Sequence, residues 1–228
     1  MTPRGLDVAA GDSVARIRWS TTTDGDFHLE GNPVSLHHRR QAFVPGPWTQ
    51  LDEVHGIEVR TVSRPGEFDG AVGDAAITRC RGAVLAAWVG DCAPVVLVGD
   101  DGAVGVVHAG WRGAVAGVLE SAVAAMRSVG AGRLSAYLGP CVHPFCYEFG
   151  EADMLPFVQR LGSGVVGRTT WGTPSLDMPA VVGGLLAAVR VPMAELAGCT
   201  ACSGGTWFSH RRGDRGRQVM AVVLGAGA

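Results

Sequence analysis

Lysine is absent from this chain of 228 residues, so all 19 basic side chains are arginine, set against 21 acidic ones for a formal net charge of -2. Neither sign forms a long run, which removes the electrostatic footprint of a nucleic-acid or anionic-membrane partner and favours a small neutral or anionic ligand. Long apolar stretches are missing too: none reaches the roughly 18 to 20 residues of a membrane span. The opening MTPRGLDVAAGDSVARIRW mixes charge throughout instead of placing an apolar h-region after a basic n-region, so no secretory signal is read and a cytoplasmic protein is expected. Cysteine is sparse, at six residues, too few for a disulfide scaffold in a chain of this length. Cys199 and Cys202 form one CxxC without a second CxxC or an HxxxH, so neither a zinc ribbon nor a thioredoxin-like site is read; with Cys141 and Cys146 they read as packed thiols. No internal repeat or low-complexity linker breaks the chain, and a single domain over residues 1–228 is expected.

What is present is a series of apolar runs. VARIRWS (14–20) alternates like a half-buried strand after an unpatterned start, whereas 21–47 reads as a solvated loop or short helix. WTQLDEVHG and IEVRTV read as extended segments meeting at Gly56, and AAIT follows a Gly- and Asp-rich turn. AVLAAWV, APVVLV and AVGVVHA are continuously apolar, as strands covered on both faces are. After Arg112 comes a helical stripe, Val115, Val118, Leu119, Ala122, Val123 and Met126, ending near Gly130. LSAYLG then reads as a strand and 151–161 as a helix. A further helix is read over 175–191, provided Pro179 falls in its first turn, and QVMAVVLGA reads as a closing strand. Strands cluster without strict βα alternation, so an α+β layered sandwich with a mixed sheet is expected.

Three side chains with metal-binding or nucleophilic chemistry stand where strands stop: His55 before Gly56, Cys92 after Asp91, and His108 before Gly110. Strand ends beside glycine turns present side chains to a cleft from a rigid scaffold. Two imidazoles and a thiolate form a three-ligand zinc set with an open fourth position; the same residues read equally as a Cys92 nucleophile activated by His108. Asp91 is a candidate to orient a histidine, and reads equally as a turn residue. Beside this centre, Gly110, Arg112 and Gly113 open a helix whose N-terminus suits a phosphate. The loop containing Ser209, His210, Arg211, Arg212 and Arg217 offers guanidiniums for bidentate contacts. Trp111, Tyr147 and Phe149 read as a stacking surface or as core, and Glu148 as a ligand to a hydroxyl, an acid/base or an ion-pair partner.

Taken in order, EVHG (53–56), GDCAPV (90–95), HAGWRG (108–113), LGPCVHPFCYEFG (138–150) and TWFSHRRGDRGR (206–217) resemble the YfiH-like laccase-domain family. The resemblance runs from Trp48 to the C-terminus. It implies a layered α+β sandwich, zinc ligands at His55, Cys92 and His108, and phosphorolysis of purine nucleosides (adenosine, inosine, guanosine, methylthioadenosine), with adenosine deaminase activity on the same metal. The purine nucleoside and phosphate are the implied partners; oligomeric state stays open. The chain departs from the family pattern at 21–40, where a TRxGG turn and an SLNLG segment are usual. Gly90 stands where alanine is usual, and His210 where tyrosine is common.

Three alternatives accompany that reading. A copper-dependent phenol oxidase of the multicopper type needs about ten histidines, and the chain has seven. A thiol hydrolase would use Cys92 and His108, and a non-catalytic protein would bind a nucleoside without turnover.

Overall fold

The computed structural model describes residues 4–226. In chain order its elements are β1 (Arg4–Ala10), β2 (Ser13–Trp19), α1 (Pro33–Phe43), β3 (Trp48–Gln50), β4 (Val59–Val62) and β5 (Ala75–Thr78). Then follow β6 (Val84–Val89), β7 (Ala93–Gly99), β8 (Val104–Ala109), α2 (Trp111–Ala116), α3 (Val118–Ser128) and β9 (Leu134–Leu138). The last are α4 (Glu151–Leu161), β10 (Val166–Arg168), β11 (Pro174–Leu176), α5 (Met178–Ala188), β12 (Met193–Glu195) and β13 (Gln218–Ala226).

Two mixed sheets result. One runs β1-β2-β13-β6-β3 and the other β12-β9-β7-β8-β5-β4, with β10 and β11 forming a separate hairpin. The sheets face each other across a core in which Ile17, Leu85, Val96, Val106 and Val222 meet. Beyond the second sheet, α3, α4 and α5 bury Leu119, Phe157 and Leu185. Beyond the first, α1 covers Val84 and Val219 with Leu36 and Phe43. The order is therefore helix, sheet, sheet, helices, the expected layered α+β sandwich. Every residue of β7 and β8 is buried, which is why those strands carry no polar alternation. Among the described residues no helix is long and apolar enough to cross a membrane.

Several local expectations need correcting. The unpatterned start is an ordered edge strand, because Gly11, at φ +63°, allows the tight turn that folds β1 back onto β2. Of the two readings of 21–47 the short helix holds, over Pro33–Phe43: Asn32 accepts N–H bonds from Val34 and Ser35, and Pro33 supplies a pre-set first turn. The helix after Arg112 is two helices, broken by Gly117 at φ +103°. The fifth helix begins at Met178, not at Ser175, which pairs in β11; Pro179 does fall in its first turn. Trp48–Gln50 is a short strand, and the rest of its segment is irregular apart from a parallel β-bridge between Asp52 and Val72.

Candidate metal and anion site

Strand register gathers the centre. In the second sheet β8 lies between β7 and β5, pairing Ala109 with Ala93 and Val107 with Ala75. His108, the last but one residue of β8, therefore lies beside the residues that precede two neighbouring strands, Cys92 before β7 and Asp74 before β5. His55 comes from the loop between β3 and β4. One donor atom from each of His55, Cys92 and His108 lies within 4.8 Å of the others, and Cys92 Sγ is 3.6 Å from His55 Nε2.

Asp74 holds this arrangement together. Its Oδ1 lies 2.9 Å from His108 Nδ1 and accepts the His55 backbone N–H at 2.8 Å, while Oδ2 accepts the Gly56 N–H at 2.7 Å. These bonds retain His55 at φ +60°, a left-handed conformation unfavourable for a residue with a Cβ. They also commit Nδ1 of His108, leaving Nε2 as the nitrogen free to bind a metal. Gly110 closes the packing: a Cβ there would come within 2.3 Å of His55 Cδ2.

Electrostatics favour a thiolate. Burial alone would raise the Cys92 pKa, but the His108 charge and hydrogen bonds from both histidines outweigh it and bring the thiol down to about 6. Burial disfavours the His108 imidazolium, yet Glu53, the Cys92 thiolate and Asp74 together raise its pKa well above the ordinary histidine value. Glu53 Oε2 is 3.6 Å from His108 Nδ1, and its Oε1 accepts the Trp88 N–H. Burial pushes the Glu53 carboxyl up to about 8 despite the pull of His108. For Asp74 the opposite holds: bonds from His108, Gly56 and His55 overcome burial and keep its pKa below the usual carboxylate value.

Sequence reasoning missed both acids. Asp74 lay in a stretch read only as a turn, and its function is visible only once β5 and β8 are paired. Glu53 sits in the EVHG motif but had no partner along the chain. Asp91, proposed to orient a histidine, does something else: it accepts hydrogen bonds from Thr200 Oγ1, Ser209 Oγ and the Arg211 backbone N–H. Its φ of +115° turns the carboxylate toward the basic loop.

The arginines divide into two kinds. Arg112 lies over Trp111, 4.4 Å from the ring centroid, and Arg211 over Tyr147 at 4.7 Å. Trp111 and Tyr147 both pack on Phe149, so the two guanidiniums ride on one continuous aromatic row. Both arginines are exposed, and among the described residues neither has an ion-pair partner. The guanidinium of Arg212, by contrast, is spent on the carbonyls of Thr200, Ala201 and Trp207 and on Asp214. Arg217 is bonded to its own loop, and its side chain occupies the space a Cβ at position 90 would need. Glu148 makes no arginine pair; it accepts from Trp171 Nε1 at 3.0 Å and stays exposed. Tyr147 and Phe149 are core residues, leaving Trp111 as the partly open face of the row.

Residues 21–225 match the family model described as "Multi-copper polyphenol oxidoreductase laccase". The chain is 38% identical over 213 residues to "Purine nucleoside phosphorylase ORF3" of Streptomyces griseus, covering 86% of each protein. It is 34% identical over 148 residues to "Adenosine deaminase RL5" from an unknown prokaryotic organism, covering 61% of this chain and 56% of that one. Among solved structures, the hypothetical protein YfiH of Bacillus licheniformis superposes with a TM-score of 0.81 at 20% identity, covering 95% of this chain and 97% of that one.

Proposed function

We propose that this chain, which belongs to the YfiH-like laccase-domain family, is a zinc-dependent purine nucleoside phosphorylase. The observation that carries the reading is the His55, Cys92 and His108 donor set with two exposed guanidiniums close by in the chain and the fold, Arg112 four residues after His108 and Arg211 held by Asp91 beside Cys92, neither with a carboxylate partner among the described residues. The purine nucleoside phosphorylase name of the Streptomyces griseus relative supports it from outside the structure.

The donor chemistry fits zinc. Two imidazole nitrogens and a thiolate match its preferred ligands and leave a fourth position open. A multi-copper centre needs many imidazoles, whereas among the described residues only His55 and His108 share a donor cluster; His37 and His38 face each other on α1. Zinc at this set supplies Lewis-acid polarisation of an oxygen in the open position.

The chain's own residues do the rest. Arg112 and Arg211 hold phosphate through charge-assisted, bidentate hydrogen bonds, with their planes fixed by the aromatic row beneath. Backbone N–H groups over Gly110–Gly113 add to that anion site, although a helix of six residues contributes only a short dipole. Phosphate so held attacks ribose C1′ as the C1′–N9 bond breaks, and the base departs with that electron pair and takes up a proton from water; positioning and charge stabilisation lower the barrier. Glu148 remains reachable for a ribose hydroxyl. Deamination of adenosine is a second activity of the same centre, favoured by the relative named for it.

Metal-replete protein incubated with inosine and phosphate tests the reading. Ribose 1-phosphate formation that scales with phosphate is the expected result. Nucleoside binding with zinc present and no ribose 1-phosphate would leave a non-catalytic binding protein and overturn it.

A further inference from the structure

The fold gathers a second set of soft donors that the reaction above does not use. Sγ atoms of Cys146, Cys199 and Cys202 all lie within 4.8 Å of one another. They come from separate stretches: Cys146 closes the 3-10 turn Pro144–Cys146, while Cys199 and Cys202 flank a tight turn anchored by a β-bridge between Cys199 and Cys141. Cys199 is buried in the core and Cys146 packs against it, as packed thiols do, whereas Cys202 is exposed. A disulfide would satisfy two of the three and strand the third. The His143 backbone N–H donates to Cys199 Sγ, 3.4 Å away, and so fixes that sulfur's position.

We propose that Cys146, Cys199 and Cys202 form a second metal site, binding one thiophilic divalent ion of the zinc class through three thiolates. Three soft sulfurs select such an ion. Tetrahedral zinc at about 2.3 Å from each sulfur spaces them about 3.8 Å apart, so sulfurs that already lie within 4.8 Å of one another need to close by no more than about 1 Å. The exposed side of Cys202 provides the approach and leaves the fourth position to solvent. Burial and the neighbouring Cys199 sulfur push Cys146 up to about 12, and Cys202 is raised as well.

The site has a structural consequence for the centre nearby. Thr200, between the two cysteines of the turn, donates to Asp91 at 2.5 Å, and the Thr200 and Ala201 carbonyls accept from Arg212. Asp91 in turn holds the Arg211 backbone. An ion on the trio thus pins the turn on which the basic loop is hung.

Native mass spectrometry of full-length protein, reduced, stripped and reloaded with Zn2+, tests this without any assay of activity. Two zinc ions are expected on the unmodified chain, one on Cys92→Ser, one on Cys202→Ser and none on the double variant. Cys146→Ser serves as a second probe should Cys202→Ser fail to fold. In Cys92→Ser, Co2+ is expected to give a thiolate-to-cobalt charge-transfer band that Cys202→Ser removes. A zinc count unchanged by either trio variant overturns the proposal. So does a trio that takes up Cu+ but not Zn2+, or one that stays two protons lighter, as a disulfide, under reductant.

Discussion

His108 Nδ1 lies 2.9 Å from Asp74 Oδ1, with both side chains almost wholly buried. One carboxylate therefore fixes the tautomer of one candidate ligand while its backbone bonds fix the turn bearing another, His55. Asp74→Asn keeps the volume but puts an amide N–H2 against N–H donors. Zinc affinity, measured by competition with a chelator, is expected to fall about 10- to 100-fold. Because the native Asp74 pKa is depressed below 3.8, its stabilising effect is complete only above about pH 5 and is lost as pH falls from there through the native value. The acid limb of a thermal-melt series is expected to flatten in Asp74→Asn; an unchanged limb would contradict this.

Cys92 offers a reactivity test. With its pKa lowered to about 6, metal-free protein should be alkylated by iodoacetamide with a half-maximal rate near pH 6, not near the ordinary thiol value of 9.0. Zinc is expected to protect the residue. Rapid labelling of zinc-replete protein would favour the thiol-hydrolase alternative instead.

Gly110 is required for space, not for backbone freedom, since its φ of -69° suits any residue. Gly110→Ala puts a methyl 2.3 Å from His55 Cδ2, so the imidazole must move. At least a tenfold loss of zinc affinity is expected, with helical circular dichroism retained. Full zinc binding by this variant would show that His55 is not a ligand.

Arg211 and Arg212 are sequence neighbours with different duties, and substitution separates them. Arg211→Ala is expected to raise KM for phosphate about 10- to 100-fold, the equivalent of one charge-assisted hydrogen bond of about 1.5–3 kcal/mol. Arg212→Ala strands the carbonyls it now bonds and is expected to lower Tm first. Equal effects of the two on phosphate KM would remove the distinction.

How much of this was legible in the sequence follows from range. His55, Cys92 and His108 each end an apolar run beside a glycine, a local signal, and the layered fold follows from strands apolar on both faces. Asp74 and Glu53 act across strand pairings that no local pattern encodes, so an acid in a glycine-rich turn looked like any other. Asp91 was adjacent to the right cysteine, but its left-handed backbone turns it toward Thr200 and Ser209, 109 and 118 residues away. The break at Gly117 was hidden because apolar residues continue in helical spacing through it.

Anomalous diffraction at the zinc edge, from crystals soaked with inosine and phosphate, tests the central claim most directly. The expected map has a zinc peak bonded to His55 Nε2, Cys92 Sγ and His108 Nε2, with phosphate or its ribose ester between Arg112 and Arg211. Absence of metal from those three donors, or phosphate bound away from both arginines, would contradict it.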